Sequence, residues 1–130
     1  MVFDKELLDS ITARAEESPR LRMNLDMRNS TEDYSQRMLN ALEPGTVLPI
    51  HRHCKSSETV VVLRGAMEQH LYDENGNETE CVRVAAGSDT AGMSVPAGQW
   101  HRAVALEHGT VIFEAKDGKY EPLSENDILK

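Results

Sequence analysis

The sequence has little of what marks a membrane-spanning or secreted protein. It contains no run of about 18 apolar residues, which a membrane-spanning helix requires. The segment from Met1 to Glu6 lacks the basic region and apolar core of a signal peptide. Cysteine occurs only at Cys54 and Cys81, which is too few for a disulfide framework. We therefore expect a cytoplasmic protein with two free thiols.

Positive charge is also scarce. The 130 residues include 14 Lys and Arg against 22 Asp and Glu, so the formal net charge is -8. This charge opposes binding to nucleic acid or to an anionic membrane, because both carry negative phosphates. It leaves room for an anionic substrate, since a local cluster of arginines can act within an acidic chain. The length predicts one domain over residues 1–130, with residues 1–19 as a helical extension and about 20–120 as the main fold.

One helix is predicted over residues 4–17. Its apolar side chains fall on one stripe, made of Leu7, Leu8, Ile11 and Ala15. Asp4 can cap its first turn, and Pro19 ends it because the residue before a proline avoids the helical conformation. One apolar stripe needs a partner, which is either the outer face of a sheet or a second subunit.

The rest of the chain predicts short strands separated by turns. Residues 20–28 alternate polar and apolar side chains, which is typical of a strand with one wet face. The Asn75–Gly76 pair predicts a hairpin turn. Such regularly spaced strands after one helix indicate a β-sandwich or small barrel. The predicted strands are 20–28, 34–42, 47–53, 58–64, 67–73, 78–84, 101–106 and 110–116.

The stretch from Gly45 to Gly65 carries the clearest chemical signal. His51 and His53 lie two apart, so on one strand their side chains project from the same face. A turn after His53 would bring Glu58 onto a neighbouring strand. Two imidazoles and a carboxylate that converge on one point can hold a transition metal.

The spacing in this stretch matches the first cupin motif at every specified position: glycine, five residues, His-x-His, four residues, glutamate, six residues, glycine. A second cupin motif is partly present as Pro96, Gly98 and His101. Thr90 stands where its first glycine is expected, and Ala105 stands where its asparagine is expected. The metal-ligating histidine of that motif is nevertheless present.

The chain therefore resembles the cupin superfamily. The resemblance implies an all-β, double-stranded β-helix (jelly-roll) barrel with a short N-terminal helix. It also implies a metal bound by His51, His53, Glu58 and His101. Three imidazoles and one carboxylate suit a divalent transition metal, namely Zn, Fe, Mn, Ni or Co. With four protein ligands, one or two coordination positions can stay open for Lewis-acid chemistry.

A closer resemblance extends over most of the chain and is to the WbuC family of cupin-fold metalloproteins. That family implies a role at bacterial surface-polysaccharide loci, and it supplies no reaction. Beside the N-terminal helix, the segments that carry the resemblance are 20–24, 36–38, 44–45, 51–53, 96–101, 113–114 and 118–120.

Three further residues are candidate pocket or substrate contacts. Gln36 shares a strand face with Met38 and Asn40, and it either lines the barrel or lies on the outer surface of the sheet. Arg20 and Arg22 either form a rim that binds an anion or keep a sheet edge solvated.

The remaining chemically active side chains are expected to be structural. Cys54 follows a ligand and should point away from the metal, and Trp100 should face opposite to His101. His70 and His108 have no partner at ligand spacing and are read as surface residues.

Two functions remain open. The first is a metalloenzyme acting on a small polar molecule such as a sugar or sugar-nucleotide derivative, by isomerase, epimerase, lyase or oxygenase chemistry. The second is a non-catalytic module that binds a metal and a small ligand. The apolar helical stripe and exposed sheet edges make a homodimer the expected assembly.

Overall fold

A computed structural model describes residues 1–130. It contains one α-helix, α1 (Lys5–Glu17), and a 3-10 turn at Glu125–Asp127 near the C-terminus. The eight strands are β1 (Arg22–Asp26), β2 (Ser35–Leu42), β3 (Glu58–Arg64), β4 (Ala66–Tyr72), β5 (Glu78–Ala85), β6 (Gly92–Val95), β7 (Trp100–Ala105) and β8 (Thr110–Asp117).

The strands form two antiparallel sheets. One has five strands in the order β1-β2-β8-β3-β6, and the other has three in the order β5-β4-β7. This is the jelly roll that the sequence predicts. The main core draws on both sheets and consists of Leu42, Val60, Val62, Met67, Val84, Ala105 and Ile112.

Helix α1 covers the five-stranded sheet. Asp4 caps it as predicted, because its Oδ1 accepts a hydrogen bond of 3.0 Å from the amide of Leu7. Ile11 and Ala15 are buried in a second cluster with Leu39, Ala41 and Val111. The apolar stripe is therefore covered within the chain and needs no second subunit. No helix combines the length and the hydrophobicity needed to cross a membrane.

The predicted strand over residues 47–53 is wrong. Only His51 pairs in this segment, through isolated bridges to His101 on one side and Ile128 on the other. Pro49 has no N–H to donate, so a regular ladder cannot continue through it. The sequence predicts no structure for the C-terminal segment, but this segment pairs with the chain on the side of His51 opposite to His101. The amide of Leu129 there donates to the carbonyl of Ile50 at 2.9 Å.

Two turns contain a glycine with a positive φ, a conformation that other residues rarely adopt. The hairpin between β4 and β5 turns at Asn75–Gly76 as predicted, with a φ of 82° at Gly76. Asp73 closes this turn by accepting hydrogen bonds from the amides of Asn75 and Asn77. The step from β3 to β4 is a single residue, Gly65, with a φ of 83°.

Candidate metal centre

Three histidines converge between the two sheets. His101 is the second residue of β7, and its backbone pairs with His51, whose N–H and C=O both bond to it. His53 follows two residues later along the same segment. One ring nitrogen from each of the three lies within 4.8 Å of the others. Such a set of imidazoles could hold a metal ion.

Backbone carbonyls orient two of the three rings. Nδ1 of His51 lies 2.9 Å from the carbonyl oxygen of Pro49, and Nδ1 of His101 lies 2.8 Å from that of Gln99. A carbonyl can only accept, so each Nδ1 carries a proton and each Nε2 is left as the nitrogen available to the cluster. Metal-binding histidines are typically oriented by such a hydrogen bond on the second nitrogen.

The third ring shows that the site fits a metal. Nε2 of His53 is buried and makes no hydrogen bond, although Oε2 of Glu58 lies 3.4 Å from it. Buried polar atoms without a partner are rare in folded proteins. A cation between the three imidazoles would give this nitrogen its partner.

Glu58, the fourth predicted ligand, is the first residue of β3 and lies beside His53 and His101. Its carboxylate is buried, and Oε2 lies 3.2 Å from Nε2 of His101. Burial alone would raise its pKa, but the hydrogen bond from His101, the neighbouring imidazole of His53 and the charge of Lys116 together hold the pKa well below its usual value. Glu58 is therefore ionised, as a metal-ligating carboxylate must be.

The pKa values of His51 and His101 shift in opposite directions. Burial, with the nearby charge of His101, lowers the pKa of His51 to about 4, so its ring is neutral near pH 7. Burial also opposes the charged form of His101, but the hydrogen bond and the negative charge of Glu58 outweigh it and raise its pKa. The cluster thus combines a neutral donor with a charge-assisted pair.

A cavity of about 510 Å³ opens beside the histidines, lined in part by His51, Glu58 and His101. One face of β2 lines it too, with Gln36, Met38 and Asn40, so Gln36 faces the interior and not the outer surface of the sheet. The amide nitrogen of Gln36 donates to the carbonyl of Gly118 at 2.9 Å.

The two predicted arginines also line this cavity. Arg20 is exposed, whereas Arg22 is half-buried and its Nη1 donates to the carbonyl of Val47 at 3.2 Å. Arg22 therefore has a fixed position at the rim.

Two acid–base groups in the cavity were missed by sequence reasoning. Glu114 on β8 is buried, and burial followed by the charge of Glu58 raises its pKa to about 7. Nζ of Lys116 lies 3.4 Å from its Oε2. The available signal was the alternation of Ile112, Glu114 and Lys116 on one face of an apolar strand.

Gln69 on β4 is a third residue that sequence reasoning missed. It is 1% exposed, lines the same cavity, and its amide nitrogen has no hydrogen-bond partner. A polar atom so deeply buried and unpaired is available to a ligand.

An outer cavity of about 710 Å³ adjoins the first and shares Arg22, Gln36, His51 and Lys116 with it. Tyr120 also lines both, and the outer cavity adds side chains that carry positive charge or an aromatic ring, namely Tyr34, Arg52, Lys55 and Lys119. The C-terminal segment contributes one wall through residues 118–123 and Asp127.

Cys54 and Trp100 lie outside the histidine cluster. The thiol of Cys54 donates to Oδ1 of Asp127 at 3.0 Å. Trp100 is buried beneath the guanidinium of Arg52, whose Cζ lies 4.5 Å from the ring centroid.

His108 is exposed as predicted, whereas His70 is half-buried, and each histidine contacts a glutamate that its position in the sequence does not indicate. Nδ1 of His108 lies 3.0 Å from Oε1 of the buried Glu43, whose Oε2 also accepts from the amide of Gly109. His70 contacts Glu78. Both pairs join residues far apart in sequence or across a hairpin, so spacing alone could not reveal them.

Solved structures resemble this chain in fold. KdgF from a Halomonas species matches with a TM-score of 0.62 and 20% identity, over 79% of this chain and 84% of that one. An oxalate oxidase in complex with the substrate analogue glycolate matches with a TM-score of 0.64 and 15% identity, over 80% and 54%. The E162A mutant of Bacillus subtilis oxalate decarboxylase OxdC matches with a TM-score of 0.54 and 24% identity, over 66% and 22%.

These likenesses concern the fold, which is the cupin jelly roll. The chain spans about half the length of the oxalate oxidase and about a fifth of that of the oxalate decarboxylase. No curated protein matches the sequence. A family model matches residues 3–84, which include His51, His53 and Glu58 and end before His101. The chain belongs to the family described as Domain of unknown function (DUF6016).

Proposed function

We propose that the protein is a metalloenzyme acting on a small polar molecule, namely a sugar or sugar-nucleotide derivative of bacterial surface-polysaccharide metabolism. The observation that carries the proposal is the convergence of His51, His53 and His101, of which His51 and His101 line the inner cavity and His53 lines the outer one. The finer family assignment, to WbuC-like cupins, belongs to the same proposal and supplies the polysaccharide context.

The ligands in this proposal are His51, His53, Glu58 and His101, and the ion is Zn, Fe, Mn, Ni or Co in its divalent form. When bound there, such an ion acts as a Lewis acid towards a carbonyl or hydroxyl of the substrate. The buried, unpaired Nε2 of His53 supports this assignment.

Glu114 is the proposed proton-transfer group. It is buried in the wall of the cavity, and burial raises its pKa, which brings proton exchange closer to neutral pH as a general acid–base catalyst requires. Lys116, 3.4 Å away, favours its ionised form and can stabilise negative charge that develops on a substrate. Isomerisation, epimerisation and elimination each need such a proton transfer.

The remaining side chains suit recognition of a polar, anionic ligand. The amides of Gln36 and Gln69 can bond to hydroxyl groups inside the cavity. Arg20, Arg22 and Lys119 bring positive charge to the two cavities of an otherwise acidic protein. Tyr34 lines the outer cavity and Tyr120 lines both, and these exposed residues offer rings on which a sugar can stack.

Turnover tests this function directly. The metal-loaded protein is incubated with a panel of sugars, sugar acids and sugar nucleotides, and products are followed by NMR and mass spectrometry. We expect turnover of one class that is lost in His51→Ala, which removes a proposed ligand. Activity that persists in metal-free His51→Ala would contradict the mechanism.

The second candidate, a non-catalytic module that binds a metal and a small ligand, is favoured by one observation. Gln36 and Arg22 are already hydrogen-bonded to the carbonyls of Gly118 and Val47, so both form fixed walls of the cavity. Saturable ligand binding without any product, by the wild type and Glu114→Gln alike, would select this function over the enzyme.

The proposal includes a cytoplasmic homodimer. Both sheets end in strands with a free edge, and the exposed apolar residues Met1, Val2 and Phe3 precede α1. Sedimentation of the protein against a variant lacking residues 1–3 measures the assembly. A dimer weakened by the deletion is expected, and a monomer at all concentrations would contradict it.

A further inference from the structure

A second cluster of metal-binding side chains lies on the outer face of the three-stranded sheet. It consists of Glu68 and His70 on β4 and Cys81 on β5, and one donor atom of each lies within 4.8 Å of the others. None of these residues lines either cavity described above. We propose that Glu68, His70 and Cys81 form a second metal site, specific for a thiophilic divalent ion such as Zn²⁺.

Strand register brings the three donors together. His70 lies directly opposite Cys81 in the β4–β5 ladder, and Glu68 lies two residues before His70 on the same face. This arrangement is built into a regular hairpin and does not depend on the conformation of a loop. A site on regular strands holds its ligands more precisely than a site on loops.

The distances fit tetrahedral coordination. Nε2 of His70 lies 3.8 Å from Sγ of Cys81 and 3.4 Å from Oε1 of Glu68. With Zn–N of about 2.0–2.1 Å, Zn–S of about 2.3 Å and Zn–O of about 2.0 Å, the N–S and N–O edges of a tetrahedron are about 3.5 Å and 3.3 Å. The three donors are therefore already near the separations that a bound zinc requires.

A fourth residue orients the histidine. The ladder shifts register between Leu71 and Tyr72, so Tyr72 pairs with Glu78. Such a bulge changes which face a side chain points to. As a result Oε1 of Glu78 contacts Nδ1 of His70 and leaves Nε2 facing Glu68 and Cys81. A carboxylate behind the histidine is the usual outer support of a zinc ligand.

The charges around the cluster favour a cation. Two carboxylates and a thiol surround one imidazole. The nearest arginines by register, Arg83 and Arg102, form no ion pair with either carboxylate. Cys81 is exposed, so a fourth coordination position would be open to a water ligand. Thiolate, imidazole and carboxylate together select zinc over magnesium or calcium.

Cobalt(II) distinguishes the two sites because only the second contains sulfur. A cobalt–thiolate bond gives a charge-transfer absorption in the near ultraviolet, whereas cobalt held by imidazole and carboxylate does not. The titration is done anaerobically on metal-stripped Cys54→Ser, which leaves Cys81 as the only thiol. We expect the charge-transfer band, and a total of two metals per chain for both Co²⁺ and Zn²⁺.

Substitutions of Cys81 and His70 test whether the charge-transfer band comes from the proposed second site. In Cys54→Ser/Cys81→Ser the band should vanish and the stoichiometry should fall from two metals to one, while thermal unfolding stays unchanged because Cys81 is exposed. His70→Gln in the Cys54→Ser background should weaken cobalt binding at least tenfold. His108→Gln, which alters an exposed histidine that is also paired with a glutamate, is the matched control and should bind normally.

Two results would overturn the proposal. One is a stoichiometry of one metal per chain in Cys54→Ser with no thiolate band. The other is a band that His70→Gln leaves at full strength and at the same affinity. Loss of metal from the His51, His53 and His101 cluster alone, for example in His53→Ala, would leave the thiolate band in place.

Discussion

At the scale of the residue, the tautomer of each histidine decides whether the cluster can bind a metal. The carbonyls of Pro49 and Gln99, each two residues before a histidine, hold a proton on Nδ1 and leave Nε2 available to the cluster. His53 has a buried Nε2 without a partner, and Glu58 stays ionised beside it. The site is thus prepared by local backbone geometry as much as by the ligands themselves.

Glu114 provides the first residue-scale prediction. Glu114→Gln keeps the shape of the side chain but removes proton transfer, so we expect turnover of the proposed substrate to fall by about 10²–10⁴-fold. Metal content, measured by mass spectrometry, should stay unchanged because Glu114 is not a ligand. Glu80→Gln, at an exposed carboxylate on β5, is the control and should keep full activity. Equal activity in the two variants would show that Glu114 does not transfer the proton.

His108 provides the second prediction at the scale of the residue. Its contact with Glu43 raises its pKa above the ordinary 6.5, so the folded state binds the proton more tightly than the unfolded state. The resulting stability is present below about pH 6.5 and is lost as the pH rises through the folded-state pKa. Thermal unfolding should therefore show that His108→Gln lowers Tm more at about pH 5.5 than at about pH 8.5. A Tm difference that is constant across this range would contradict the linkage.

At the scale of the element, single residues set where strands begin and end. Pro49 prevents the expected strand over 47–53, and the C-terminal segment pairs with the chain there. Gly65 reverses the chain between β3 and β4, with its α-carbon packed close to Thr110 of β8. The step is tight because β3 belongs to one sheet and β4 to the other.

Gly65 gives the element-scale prediction, with Gly76 as its matched control. Both have positive φ, but a Cβ built on Gly65 would lie 2.8 Å from Cα of Thr110, whereas one on Gly76 meets nothing within 4 Å. Gly76→Ala should cost about 1–2 kcal/mol of unfolding free energy through backbone strain alone. Gly65→Ala should cost a further 1–3 kcal/mol or so through overpacking. Urea denaturation measures both, and equal costs would show that the contact with Thr110 is relieved cheaply.

At the scale of the whole molecule, the fold was predictable and much of the site chemistry was not. The two cupin motifs predict that His51, His53 and His101 converge, as the structure shows, and Glu58 lies beside His53 and His101. Glu114 and Gln69 reach the cavity only through the register of strands distant in sequence, which periodicity does not specify. The partners of His70 and His108 were missed for the same reason.

Tertiary packing also decides the evidence for assembly, which the sequence alone left open. The apolar stripe of α1 gave two possible partners, and the buried Ile11 and Ala15 identify the chain's own sheet as the one that covers it. The stripe therefore gives no support to a dimer, which now depends on the sheet edges and on residues 1–3. Which of two apolar partners a helix meets is a property of tertiary packing, and amphipathicity alone does not choose between them.

The central claim is that His51, His53, Glu58 and His101 hold one divalent metal. Its most direct test is the metal content of Cys81→Ser, which removes the second proposed site, compared with Cys81→Ser/His53→Ala, after both are loaded with Zn²⁺ and dialysed. We expect one zinc per chain in the first and none in the second, with both variants folded by circular dichroism. One tightly bound zinc per chain in both would contradict the account.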